Sequence, residues 1–379
     1  MNDPDVWLTI NGQDYGGWKR VRIERSLTQC TIKWGVIATR NWPGMAQQWD
    51  IALGDAVTVM MGDTQIVSGW IDQMSPSYSG ESHEIEIAGR GKLADVIDCT
   101  PVDAPPQWKQ VAPGQIIRDI CDVFGVRVVI DAPLDEPMDF KLQQGETGWA
   151  AIERLCRLRA ILAYEQTDGA LLITRVSEEY CDTALVQGSG ERTILEGSAK
   201  LADNEQFSVV IVKGQQPGAD NVTPKQAAES LAQAQDPSIR RYRPLVIYQA
   251  AKTSVADAQE RANWEVQRRW GASRSVDITV TGWLTDGDEP WPLNRLCRIE
   301  DAWLGIDREM TITGTIFELG ANGRTTVLTL EPPEALTPNP DDLKPEVTDK
   351  AGASGGTDYW RQVGMDRERG ERRRLESKQ

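Results

Sequence analysis

Short runs of alternating apolar and polar residues, cut by tight-turn pairs, fill both ends of this chain and constrain its fold more than any other feature. Successive side chains of a strand point to opposite faces, so a period of two declares a half-buried sheet. Val6-Trp7-Leu8-Thr9-Ile10 alternates and runs into Asn11-Gly12, a strong hairpin signal. Trp18 to Arg25 and Cys30 to Val36 alternate again. Ala56 to Met60 leads to Gly62-Asp63, and Gln65 to Ile71 returns. Strands at this spacing predict a small antiparallel barrel or sandwich over roughly the first 95 residues.

The period changes near Asp98. Pro101, Pro105 and Pro106 mark a connection, and Pro113 opens a helix with Ile116, Ile117, Ile120, Cys121 and Phe124 on one face, stopped by Gly125. A second helix starts near Thr147 and carries Ile152, Leu155, Cys156 and Arg159. Leu162 to Gln166 and Ala170 to Arg175, joined by Thr167-Asp168-Gly169, read as a β-hairpin. These features predict a small α/β domain over 99–195.

Strands then resume. Glu205 to Lys213 and Tyr242 to Gln249 alternate, with Ala219 to Asp236 between them reading as a loop or weak helix. A helix is expected over 255–270, with Ser254 and Asp257 as a capping box and Ala258, Ala262, Val266 and Trp270 on one stripe. Val276 to Gly282, Leu296 to Glu300, Met310 to Leu319 and Thr325 to Leu330 follow as strands, the last two joined at Asn322-Gly323. A β-rich unit thus occurs twice, as a first domain over 1–98 completed by 196–216 and a second over 217–335. Residues 336–379 lose the apolar pattern. Pro338, Pro340, Pro345 and Ala351-Gly352-Ala353-Ser354-Gly355-Gly356 have the composition of a flexible tail. Within that tail Tyr359 and Trp360 are the candidate docking residues for a partner that orders it.

Charge and rare residues exclude whole classes of chemistry. The net charge is −16, yet residues 336–379 hold nine acidic and nine basic side chains, so the excess belongs to residues 1–335, with 48 acidic against 32 basic. Such a body does not bind nucleic acid by neutralising phosphates. It repels DNA at short range, which suits a passage through which DNA must slide without sticking. The six cysteines contain no CxxC pair and read as reduced thiols, not as zinc ligands or disulfides. His83 is the only histidine and lies in the alternating strand Glu81 to Ile87, where it points outward with the glutamates. No zinc site or nucleophile triad is apparent, so no metal, cofactor or catalytic residue is assigned. No run of about 20 apolar residues exists for spanning a bilayer. The N-terminus lacks a secretory pattern, so assembly in a host cytoplasm is expected.

Several segments resemble the baseplate hub proteins of Mu-like contractile phages. They are Gly89-Arg90-Gly91-Lys92-Leu93-Ala94-Asp95-Val96-Ile97-Asp98-Cys99 with Gln107-Trp108-Lys109, and Arg241-Tyr242-Arg243-Pro244-Leu245-Val246-Ile247. Asp257 to Ala262 with Gln267-Arg268-Arg269, and Gly282-Trp283, also fit, in the same order from about Trp7 to Pro333. The resemblance implies a β-rich α+β multidomain chain with two similar antiparallel β-barrel, tube-like domains. It further implies a homotrimeric ring of pseudo-six-fold symmetry in the virion's tail baseplate. That ring would join the hexameric tail tube to a separate trimeric spike, contact other baseplate proteins and leave a channel for DNA, without stable membrane insertion. The alternative functions are a tail-associated cell-wall hydrolase and a carbohydrate-binding adhesin built on the same barrels.

Arg240, Arg241 and Arg243 with Tyr242 form the densest basic cluster of the body and are the candidate subunit interface. The competing reading is a solvated strand start paired to nearby carboxylates. Trp7, Trp34 and Trp70 are expected in the core, whereas Trp42, Trp49, Trp283 and Trp291 could anchor contacts. Asp286-Gly287-Asp288-Glu289 lacks calcium-loop spacing and reads as a solvated loop, and Gly89-Arg90-Gly91-Lys92 lacks the pattern of a phosphate loop.

Overall fold

Asn11 and Gly12 both take positive φ, 52° and 76°, the paired left-handed geometry of a type I′ hairpin. They join β1 (Val6–Ile10) to β2 (Gln13–Tyr15), and β3 (Arg20–Ser26), β4 (Lys33–Thr39), β5 (Ala56–Met61), β6 (Thr64–Tyr78) and β7 (His83–Gly91) follow. The computed structural model describes residues 5–39, 51–80, 83–157, 161–188, 194–215, 230–252, 255–321 and 323–337. All of these lie in one unit, Met1–Leu343. The first β unit is antiparallel throughout, in the order β2-β1-β5-β6-β7-β4-β3.

The insert begins with α1 (Ala94–Asp98) and continues through β8 (Gln107–Val111), α2 (Pro113–Asp122), β9 (Val128–Asp131), β10 (Met138–Lys141), α3 (Gly148–Arg157), β11 (Leu162–Glu165) and β12 (Leu171–Thr174). Ile116, Ile117, Ile120 and Cys121 of α2 and Ile152, Leu155 and Cys156 of α3 are buried together. The expected amphipathic stripes are therefore what packs. Apolar surroundings push the Cys121 and Cys156 thiols up to about 12, and all six cysteines are free.

β13 (Leu185–Val186) and β14 (Ile194–Leu201) lead into a separate three-stranded sheet, β15 (Val209–Gln215), β16 (Ser230–Gln235) and β17 (Pro244–Lys252), backed by α4 (Val255–Ala272). The chain then returns to β18 (Arg274–Thr281), β19 (Leu296–Asp301), β20 (Ile306–Gly320) and β21 (Gly323–Glu331), ending in a 3-10 turn, Pro333–Leu336. The second β unit has the order β14-β18-β21-β20-β19, which repeats β3-β4-β7-β6-β5 of the first, strand for strand. The likeness extends to irregularities. β6 and β20 are each 15 residues long. Each carries a bulge, after Ile71 against β7 and after Ile312 against β21.

The two units are not separate bodies. β20 pairs with β3 from Gly314↔Ser26 to Leu319↔Val21, making one 13-stranded sheet. Val21, Ile23 and Phe317 enter a hydrophobic core that is continuous across both units. On the opposite face Arg22 pairs with Glu318. This seam explains a departure from expectation, because residues 196–216 do not complete the first unit. β3 has no edge left to accept them. Instead β14 pairs with β18 and β15 joins the separate sheet. The second unit accordingly draws its first strand from residue 194 rather than 217, and α4 packs outside its sheet. Residues 230–235, read as loop or weak helix, are strand β16.

No strand pair closes either unit into a barrel among the described residues. In the second unit a side chain from the β19–β20 turn instead lies over a face of β14. A Cβ on Gly197 would lie 3.1 Å from Leu304 Cδ1. Open edges remain among the described residues: β14 pairs only with β18, β6 beyond Asp72 only with β7, and β2 only with β1.

A buried carboxylate joins the first unit to the insert. Glu165, 2% exposed at the end of β11, accepts hydrogen bonds from Thr31 Oγ1 (2.8 Å), the Ile32 N–H (2.9 Å) and the Leu93 N–H (3.1 Å). Burial raises its carboxyl to about 7, against the lowering effect of those donors. Gly91 makes the approach possible, since a Cβ there would stand 2.0 Å from Glu165 Oε2. Gly89 likewise leaves space for the Trp70 carbonyl, at 1.9 Å from where its Cβ would be. Between them Arg90 bridges Asp72 (2.7 Å) and Asp98 (2.8 Å).

Candidate subunit interface

Strand β17 places the basic cluster at the edge of the small sheet, where among the described residues it pairs only with β15, in parallel. Its alternation divides two surfaces. Leu245 and Ile247 turn toward α4, packing on the cluster of Val210, Val212, Ala232, Ala234, Ala258 and Ala262. The other face leaves Tyr242 (84% exposed), Val246 (41%) and Tyr248 (76%) in solvent. An apolar and aromatic stripe on an edge strand is a natural contact surface.

The arginines that precede this strand divide their work. Arg243 is spent inside the chain: its Nε donates to the Gln206 carbonyl (3.0 Å) and its Nη2 to the Asn204 carbonyl (2.7 Å). Its guanidinium lies 5.6 Å from the Phe207 ring, and Arg269 lies 5.0 Å from the same ring. Arg241 pairs with Asp203 at 2.5 Å. Arg240 lines an open groove with Leu201, Ile239 and Arg274. Arg274 is held over Trp270 at 4.3 Å, and burial lowers its pKa. The cluster is therefore half structural, leaving Arg240 and Tyr242 outward. The competing reading, pairing to nearby carboxylates, describes Arg241.

Other candidates fall differently. Trp283 and Trp291 are fully buried, so they belong to the core and not to a contact surface, because their loop folds back over the second unit. Trp34 is buried as expected, but Trp7 is 40% exposed, lying against Gly16. Trp42, Trp49, Tyr359 and Trp360 lie outside the described residues. His83 is exposed and stacks on Tyr78, with ring centroids 5.9 Å apart. Asp286 to Glu289 are exposed, and the loop is tied down by the Asp286 N–H donating to Thr183 Oγ1 at 2.8 Å. Among the described residues no group of three or more His, Cys, Asp or Glu is placed to hold a metal ion. No helix there is long and apolar enough to cross a membrane. Sequence reasoning missed Glu165, whose partners lie 72 and more residues away.

Known proteins place this architecture. The baseplate hub protein gp44 of Escherichia phage Mu is 30% identical over 363 residues, covering 93% of this chain and 92% of that protein. The chain belongs to the baseplate hub proteins of Mu-like phages. Three stretches match families of this group. Residues 5–91 match the N-terminal part described as Mu phage baseplate assembly protein GpP-like, and 254–339 the fourth domain of GpP. Residues 93–175 match the second domain described as baseplate hub protein gp44-like. The 43 kDa tail protein of prophage MuSo2 from Shewanella oneidensis shares the hub fold at 30% identity and a TM-score of 0.75, covering 88% of this chain and 99% of that one. A component of the Escherichia coli type VI secretion system shares the fold alone, at 11% identity and a TM-score of 0.53, over 86% of this chain and 76% of its own. The Gly89-Arg90-Gly91 element of the hub thus has a packing role, admitting the Glu165 carboxylate and the Trp70 carbonyl.

Proposed function

We propose that this baseplate hub protein is a non-catalytic ring subunit of the virion tail. Three copies would join the six-fold tail tube to the three-fold spike and leave a channel for DNA. The observation that carries the reading is the repeated β unit: the same five-strand order occurs twice in one chain, down to a bulge in each long strand. A chain holding two equivalent units presents six equivalent positions when three chains assemble, which is what a tube-to-spike adaptor requires. In this reading each unit acts as one tube-like barrel, completed by neighbouring strands. Arg240, Tyr242 and the outer face of β17 contact another subunit or baseplate protein, and Tyr359 and Trp360 dock the C-terminal segment.

DNA passes such a ring without being bound, because the body carries 48 acidic against 32 basic side chains and phosphates within about 8 Å are repelled. Glu165, whose carboxyl burial raises to about 7, is a poor candidate for hydrolysis. Its oxygens are occupied by Thr31, Ile32 and Leu93, and it is buried. The test is native mass measurement of the purified hub and of hub released from particles. Trimers or hexamers are expected, and any other closed oligomer would overturn the ring. A turbidity assay on cell walls is expected to show no clearing.

A further inference from the structure

Val21, Ile23 and Arg25 share one face of β3, and the first two enter the hydrophobic core. Arg25 brings a charge to the end of that core. Its Nη1 donates to the Trp291 carbonyl at 3.3 Å, and its buried Nε has no hydrogen-bond partner among the described residues. The titratable neighbour that bears on it is the Tyr164 phenol rather than a carboxylate. Burial lowers its pKa to about 10, the mark of a cation held away from water.

Arg25 faces a cleft of about 500 Å³ where the first unit, the insert and the second unit meet. β11 contributes Tyr164, the end of β12 contributes Thr174 and Arg175, and the second unit contributes Asn294 and Arg295. These groups are held in place. The Tyr164 phenol is pushed up by burial, is hydrogen-bonded to Asn294 and lies within the field of Arg25 and Arg295. Asn294 takes a left-handed φ of 57°, its Nδ2 donating to the Arg175 carbonyl (2.9 Å) and its Oδ1 accepting from the Ser177 N–H (3.0 Å). The two carboxylates of the cleft already have partners. Glu179 pairs with Arg295 at 2.6 Å, and Asp131 accepts from Thr174 Oγ1 at 3.3 Å. Arg25, Arg175 and Arg295 against Asp131 and Glu179 leave the lining one positive charge in excess. That excess stands in a chain of net charge −16.

We propose that this cleft binds a small oxoanion, a carboxylate or phosphate group held by Arg25 at its floor and Arg175 at its rim. The site goes beyond the ring reading and does not depend on it. Guanidinium groups bind oxoanions through charge-assisted hydrogen bonds in a fixed fork geometry. A cleft of this volume admits a molecule of the size of citrate. The bound anion offsets the buried charge of Arg25. Because β3, the β11–β12 hairpin and the segment 292–295 all contribute to the wall, it also ties the insert to both β units.

The test is calorimetric titration of the full-length hub, in its native oligomeric state, with sodium phosphate and separately with sodium citrate. Sodium chloride at matched ionic strength is the reference, and thermal melts are run in the same salts. Saturable binding of a single ion per chain is expected, with a melting temperature above that in chloride. Phosphate alone would assign a tetrahedral ligand and citrate alone a carboxylate; either supports the site. Arg175→Gln, on the exposed rim, is expected to fold as the native chain does and to bind about tenfold more weakly. Arg25→Met is expected to abolish binding while melting in chloride no lower than the native chain, since it removes an unpaired buried charge. Absence of saturable binding to the native chain in both salts would overturn the proposal, as would unchanged binding in both variants. An Arg25→Met chain that melts far below the native one, together with unchanged binding in Arg175→Gln, would make Arg25 a structural group and overturn it too.

Discussion

Glu165 ties the insert to the first β unit, and its cost and benefit are both visible in its surroundings. Its carboxyl holds a proton up to about pH 7 in the folded chain, against an ordinary value of 4.5. Folding therefore takes up a proton between those values. The stability Glu165 contributes is fully present below about pH 4.5 and is lost as pH rises through about 7. Denaturant titrations at pH 5, 6 and 7 should show this slope in the native sequence, and Glu165→Gln should flatten it. An unchanged slope would place the proton uptake elsewhere. Glu165→Ala should cost more, about 3 kcal/mol or above, because it strands two backbone N–H groups and the Thr31 hydroxyl in a buried site.

At the scale of elements, β17 separates two roles that neighbouring residues conceal. Arg243→Ala removes two hydrogen bonds to carbonyls and the contact with Phe207, and should destabilise the subunit by about 1–3 kcal/mol. Tyr242 is 84% exposed, so Tyr242→Ala should leave the subunit's stability within about 0.5 kcal/mol. If β17 is a contact surface, association should nevertheless weaken by about tenfold or more. Paired thermal melts and sedentation-based association measurements separate these effects; equal losses of stability would contradict the division. Elements built on local alternation were legible in the sequence, including β1, β5 to β7, β18 to β21 and the stripes of α2 and α4. Their partners were not. β14 could be assigned to the first unit because nothing local records that β20 already occupies the edge of β3. β16 was hidden by alanine and glutamine, which carry weak strand preference. Trp283 and Trp291 looked available because burial of a loop depends on what it folds over. The basic cluster was found by its composition, but only the geometry separates Arg243 and Arg241 from Arg240.

At the scale of the molecule, the β20–β3 ladder joins the two units by a shared core as well as by backbone bonds. Elements with a common core unfold together. Hydrogen exchange under rising denaturant should therefore release β4 and β18 at the same concentration, although they lie in different units. Release of one well before the other would show that the seam is weak. The same ladder has a mechanical meaning. A linker between two units would let a push on one be taken up by bending, whereas a sheet that runs unbroken from β2 to β14 offers no hinge between them. A displacement imposed on either unit is handed to the other through the backbone, so the subunit moves under load as a single stiff piece.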